Sequence, residues 1–332
     1  MAANPNLSAE ELVAALEKGG DWFVSFVIDH GLGPLWHLRT DRAEFRDSRR
    51  AAEAKFLAQE HALALIDARF ADAGLQYAVI KGTANRLLLY DNPAIRACHD
   101  IDLLVKPKDR VRAAKALASA GFKACADRQN VSHALVLTSR DVDIDLHWGI
   151  LREGRLRADH AADMLDRRRR IGGLWMLSAE DALFVLLVHP AFAKHLAGYG
   201  MGLHRVVDVI RWLETQPFDW QTVSRLLERQ GLQTAAWATL RWVKMLAGSD
   251  APGKLGEMVA NLAPGRLRAA WLDRWLRSNL SQRMARTHWL RLLAFSVFLH
   301  DTPSDSMRAL AGRYKSHRRC DKDLADFGEL LG

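Results

Sequence analysis

Cysteine is scarce in this 332-residue chain, and the three present, Cys98, Cys125 and Cys320, are scattered without a CxxC spacing. That excludes a disulfide-built scaffold and fits a reducing compartment. Long apolar runs are also missing. The most apolar late stretch, Leu290 to Leu299, is too short to span a bilayer and contains Arg291. The first twenty residues have neither a basic n-region nor an apolar core, which is not a signal-peptide pattern. Low-complexity tracts are absent, and 49% of the residues are hydrophobic. These absences predict a soluble, cytoplasmic, globular protein with room for more than one domain.

Positive charge is present but uneven. Residues 1–150 hold 19 Lys+Arg against 20 Asp+Glu, and residues 151–332 hold 28 against 19, so the net +8 belongs to the C-terminal half. Such asymmetry suits anionic partners or phosphate-bearing substrates, although solvated helix faces produce it equally well.

Acidic residues are concentrated in two short segments, Asp100-Ile-Asp-Leu-Leu-Val105 and Val142-Asp-Ile-Asp-Leu-His-Trp148. Both read as strands, whose side chains alternate between faces. Asp100 and Asp102 then share one face, and Asp143, Asp145 and His147 share another. Strands disfavour Asp, and like charges crowded on a sheet face repel unless a cation sits among them. A divalent cation with oxygen ligands, Mg²⁺ or Mn²⁺, is the simplest candidate.

The remaining elements frame these strands. Ser8-Ala-Glu-Glu11 is a capping-box pattern, and residues 8–72 read as helices, the longest from about Arg42 to Ala73. Tyr77 to Ile80 reads as a strand leading into Lys81-Gly82-Thr83, with a helix from Ala84 to Tyr90. A helix follows from Lys106 to Ala120, then a strand over Phe122–Cys125 and a hairpin of Val131–Thr138 with Asp141–Trp148. Beyond residue 151 strand signals fade. A capping signal at Ser178 opens a helix, and further helices are expected over 206–213, 220–229, 234–246 and 264–277. The predicted fold class is α+β: an N-terminal helical segment (1–73), a small mixed-sheet core (74–150), a helical domain (151–314) and a mobile tail (315–332).

Ile80-Lys-Gly-Thr83, Arg96, His99-Asp-Ile-Asp102 and Val142-Asp-Ile-Asp-Leu-His-Trp148 together resemble the nucleotidyltransferase superfamily of the DNA polymerase β type. Within it, the Lys-Gly start and the His-Trp pair resemble a bacterial family of mostly unassigned substrate. Leu177-Ser-Ala-Glu-Asp181, His189 and Arg205-Val-Val-Asp208 extend the likeness to about residues 70–310. One departure is the long spacing of residues 84–99 between Thr83, where many members carry Ser, and Asp100.

The resemblance implies transfer of a nucleoside monophosphate from a nucleoside triphosphate to an acceptor. Asp100, Asp102 and Asp145 would hold metal, with Asp143 competing for the third place. Lys81, Gly82, Thr83 and Arg96 would grip the triphosphate, since a helix N-terminus and a close-approaching glycine suit phosphate. His99 and His147 are expected to support the strands rather than to ligate. Arg205 either reaches the triphosphate or pairs with Asp208. Arg167–Arg170 reads as a solvated run, and the series Trp148, Trp212, Trp220, Trp237, Trp242, Trp271, Trp275 and Trp289 as core and helix packing. The acceptor is expected to be a small molecule or protein rather than RNA, with the oligomeric state open. The alternatives are a non-catalytic nucleotide- or nucleic-acid-binding protein on this fold and, less favoured, a phosphohydrolase built on the His99-Asp100 dipeptide. That class needs its His-Asp pair on a helix.

Overall fold

The computed structural model describes residues 3, 5–125, 133–140, 142–196, 202–248, 251–284 and 286–330. The α+β class and the mixed sheet agree with the sequence reading. The sheet has seven strands in the order β3-β4-β5-β2-β1-β7-β6. The strands are β1 (Tyr77–Val79), β2 (Asp100–Val105), β3 (Lys123–Cys125), β4 (Ala134–Ser139), β5 (Val142–His147), β6 (Arg169–Ile171) and β7 (Leu174–Met176). Residues 131, 132 and 141 of the expected hairpin lie outside the described residues.

The helices preceding the last strands are α1 (Ala9–Asp29), α2 (Gly33–Thr40), α3 (Arg46–Asp72), α4 (Lys81–Leu89), α5 (Arg110–Ser119) and α6 (Ala161–Asp166), and α7 (Ala179–Ala193) follows them. The capping box forms as read. The Glu11 N–H donates to Ser8 Oγ at 3.2 Å, and the Ser8 N–H donates to the Glu11 carboxylate at 2.7 Å. No helix among the described residues is long and apolar enough to cross a membrane.

The chain forms two compact units. One comprises residues 1–54, 86–97 and 186–301, and the other residues 55–85, 98–185 and 302–332. These do not follow the boundaries expected at 73, 150 and 314, and pairing explains why. β6 and β7, three residues each, were not anticipated, because exposed arginines replace the apolar alternation that marks a half-buried strand. β7 nevertheless pairs parallel with β1, Val79 opposite Met176, so residues after 151 complete the sheet. The segment expected as a mobile tail instead continues the helix Pro303–Ala325, beyond which Phe327 is buried against Trp148, ring centroids 5.6 Å apart.

The helical unit has its own core and its own caps. Asp219 caps the helix Trp220–Gln230, and Asp301 accepts from the N–H groups of Gln233 and Thr234 at the start of the helix Gln233–Ala247. In the sheet unit the central strands are apolar wherever they do not carry the acidic row. Tyr77, Ala78, Val79, Ile101, Leu103, Leu104, Val105, Ile144 and Leu146 are all buried.

Candidate metal centre

β2 and β5 run parallel and adjacent, and their register decides the site. Asp100 lies opposite Asp143, Asp102 opposite Asp145, and Leu104 opposite His147. Neighbouring strands stand about 4.8 Å apart, so facing carboxylates are close enough to repel. Asp102 is buried, Asp145 half-buried and Asp143 exposed. The carboxylates of Asp102 and Asp145 and a ring nitrogen of His147 lie within 4.8 Å of one another. Among the described residues this is the group with metal-ligand spacing. Asp100, half-buried on the same face of β2, precedes it by one step of the strand period.

Lys81, which opens α4 just after β1, meets this group. The Ile80 N–H donates to the Asp102 carbonyl at 3.0 Å, which fixes the chain end of β1 beside β2. α4 then begins at Lys81 rather than at Ala84, and Lys81 itself sits in the left-handed region with φ 51°. Such a backbone costs roughly 1–3 kcal/mol for a residue with a side chain and persists where the surroundings enforce it. Its ammonium donates to Asp102 Oδ1 at 2.7 Å and lies 2.8 Å from His147 Nε2. His147 Nε2 is in turn 2.9 Å from Asp102 Oδ1.

These three contacts form a triangle that one set of protons cannot satisfy. Burial, together with the Lys81 ammonium, pushes His147 down to about 4, so the ring is neutral at pH 7 and carries one N–H. If Nε2 carries it, it faces the ammonium hydrogens. If Nδ1 carries it, the proton points into a buried position where Nδ1 has no hydrogen-bond partner, while the Nε2 and Oδ1 lone pairs face each other. In the second arrangement the ammonium takes the place of a cation between two ligand atoms. Asp102 is correspondingly ionised. Burial pushes its carboxyl up, but Lys81 and His147 together outweigh this and hold it well below the usual carboxylate range. His147 thus stands among the groups whose spacing could hold a metal ion.

Thr83 is buried and its hydroxyl donates to the Asp100 carbonyl at 3.0 Å, tying α4 to β2. Gly82 lies in the first turn of α4, where helical N–H groups lack intrahelical acceptors. His99 is exposed. Arg96 belongs to the helical unit, where its guanidinium forks onto Asp208 at 2.6 and 3.3 Å and Tyr90 donates to the same carboxylate at 2.9 Å. Asp208 is therefore held by Arg96 and Tyr90, while Arg205 Nη1 lies 3.5 Å from His204 Nε2. Within the expected solvated run, Arg167 pairs with buried Asp181 and Arg168 stacks over Trp175.

Residues 34–248 match a family described as an uncharacterised nucleotidyltransferase. The chain belongs to this nucleotidyltransferase family. The match takes in β2, β5 and Lys81, so the buried Asp–Asp–His group lies within the family's own region. No curated protein matches the chain.

Proposed function

We propose that this family member is a metal-dependent nucleotidyltransferase of the EC 2.7.7 type, moving a nucleoside monophosphate from a nucleoside triphosphate to an acceptor hydroxyl or phosphate. The observation that carries the reading is the Lys81 ammonium seated between Asp102 and His147 in a group of metal-ligand spacing. Two carboxylates and a neutral imidazole suit a divalent cation, Mg²⁺ or Mn²⁺, and the ammonium already acts there as a stand-in charge. Asp102, Asp145 and His147 would hold the ion, and Asp100 continues the acidic row on the same face of β2. A bound divalent cation supplies Lewis-acid stabilisation at the α-phosphate and lowers the pKa of the acceptor hydroxyl.

The protein's own groups do the rest. Lys81, once released from Asp102, offers its ammonium to the triphosphate oxygens. Gly82 lets the first turn of α4 approach those oxygens closely. Asp145, less buried than Asp102, accepts the acceptor's proton. The acceptor oxygen bonds to the α-phosphorus as the bond to the β-phosphate oxygen breaks, and pyrophosphate leaves with its electron pair. The acceptor is a small molecule or a protein rather than RNA. A phosphohydrolase is disfavoured because the His99-Asp100 dipeptide enters a strand, with His99 exposed.

The test is incubation with α-labelled nucleotides, Mg²⁺ or Mn²⁺ and cell extract. Label is expected in an acceptor fraction with the wild type and not with Asp102→Asn. Equal labelling by both would overturn the assignment, and nucleotide binding without labelling would leave a binding protein on this fold.

A further inference from the structure

Two tryptophans of the helical unit are placed against expectation. Trp271 and Trp289, read from the sequence as packing residues, are exposed, Trp289 by 61%. Each has an exposed leucine one helical turn away. Leu267, 90% exposed, precedes Trp271 on the helix Arg266–Arg277, and Leu293 follows Trp289 on the helix His288–Ala294. The two helices meet at this face. The Trp271 indole N–H donates to the Ala294 carbonyl at 2.8 Å, and the exposed Phe298 ring lies beside that of Trp271, centroids 6.1 Å apart. All of these residues belong to the helical unit. Apolar side chains scattered singly over a surface are ordinary, whereas a joined group of large ones marks an interaction site.

The same stretch is almost purely cationic. Between residues 264 and 300 there are seven arginines and one acid, Asp273. Asp273 is already engaged, accepting from Arg241 at 2.6 Å and from Arg277 at 2.5 Å. Arg268 donates to the carbonyls of His300 and Asp301 at 2.9 and 2.8 Å. Arg266, Arg274, Arg283 and Arg286 are exposed, and among the described residues none of them has a carboxylate partner. Arg274 lies one turn beyond Trp271, and Arg283 and Arg286 lie on the segment that joins the two helices. The family match ends at residue 248, before this face begins.

We propose that the face formed by Leu267, Trp271, Trp289, Leu293 and Phe298, with its surrounding arginines, docks on a membrane surface rich in anionic lipid. Trp, Phe and Leu entering the headgroup boundary beside cationic side chains is the combination that holds a helix in the plane of such a surface. Trp271 can enter it without stranding a donor, because its N–H is bonded to the Ala294 carbonyl. Leu267 stands out from the surface instead of lining a groove for a partner helix, and neither leucine offers a ring on which a base could stack. A second copy of the same face would bring arginine against arginine. The inference goes beyond the transferase reading and does not rest on it.

Flotation of the full chain with vesicles, in EDTA at low salt, tests it. The wild type is expected to float with phosphatidylcholine vesicles containing about 30% phosphatidylglycerol and to bind pure phosphatidylcholine about tenfold more weakly. Leu267→Ser/Trp289→Ser is expected to weaken binding to the anionic vesicles about tenfold at unchanged melting temperature, since both side chains are exposed. Arg266→Gln/Arg274→Gln/Arg286→Gln is expected to remove the preference for anionic lipid. Leu57→Ser/Met307→Ser, which removes exposed apolar side chains from the sheet unit, is expected to float like the wild type. Absence of wild-type flotation, or an equal loss in the Leu57/Met307 control, would overturn the proposal. Without flotation, binding of total transfer RNA that the arginine variant loses would assign the face to nucleic acid instead. Dimerisation that the Leu267/Trp289 variant loses, again without flotation, would assign it to a second copy.

Discussion

Two of the buried charged centres among the described residues are built to opposite rules. In the helical unit, Arg96, Asp208 and Tyr90 satisfy one another. Both carboxylate oxygens are bonded, the guanidinium forks onto them, and a further Arg96 nitrogen donates to the Ala97 carbonyl at 3.0 Å. In the sheet unit, Lys81, Asp102 and His147 crowd one corner of a triangle, and no choice of tautomer satisfies all three. A complete network defines structure, because every polar group has replaced its water. An incomplete one, held under backbone strain at Lys81, keeps polar groups that a bound cation could satisfy. Charge and burial are similar in the two places, and satisfaction separates them.

The comparison breaks most visibly at Asp102. Asp102→Asn is expected to reduce transfer by about a thousandfold or more while the protein stays folded, as judged by labelled-nucleotide turnover and circular dichroism. Arg96→Met should do the reverse. It strands a buried Asp208 and is expected to cost roughly 3–5 kcal/mol of stability in urea unfolding, with Mn²⁺ affinity unchanged. A metal-affinity loss in Arg96→Met, or none in Asp102→Asn, would erase the distinction.

A pH profile sharpens it. His147 has a folded pKa of about 4 against an ordinary value of 6.5. The unfolded chain therefore takes up a proton that the folded chain refuses between those values, and stability rises with pH across that window. The metal-free wild type, in EDTA, should lose roughly 3 kcal/mol as pH falls from 6.5 to 4, and His147→Gln should lack that part of the slope. Asp102 acts lower still. Its depressed pKa contributes stability that is present above the ordinary carboxylate range and lost as pH falls below it. The smallest effect is expected at Thr83, whose hydroxyl is satisfied by the Asp100 carbonyl. Thr83→Val should cost about 1 kcal/mol in melting experiments and leave Mn²⁺ affinity as it was.

What could be read in advance follows the range over which the physics acts. Strand alternation is local, so the shared faces of Asp100 and Asp102, and of Asp143, Asp145 and His147, were legible, and the parallel register then set Asp102 against Asp145. The capping box at Ser8 was legible for the same reason. The Arg96–Asp208 pair joins residues 112 positions apart, and nothing local distinguishes a structural arginine from a phosphate-binding one. The closeness of His147 to Asp102 depends on the parallel pairing of β2 with β5, two segments about forty residues apart. The Gly154–Gly312 contact has no local periodicity at all. β6 and β7 escaped because stacking and ion pairing of arginines, Arg168 on Trp175 and Arg170 on Asp67, replace apolar alternation there.

The central claim is that Asp102, Asp145 and His147 bind a divalent cation in place of the Lys81 ammonium. Anomalous diffraction from crystals soaked in Mn²⁺ with a non-hydrolysable nucleoside triphosphate tests it directly. The account predicts an anomalous peak within coordination distance of Asp102, Asp145 and His147 Nε2, with Lys81 Nζ moved away from Asp102 toward the phosphates. Mn²⁺ bound elsewhere, with the Lys81–Asp102 ion pair intact, would contradict it.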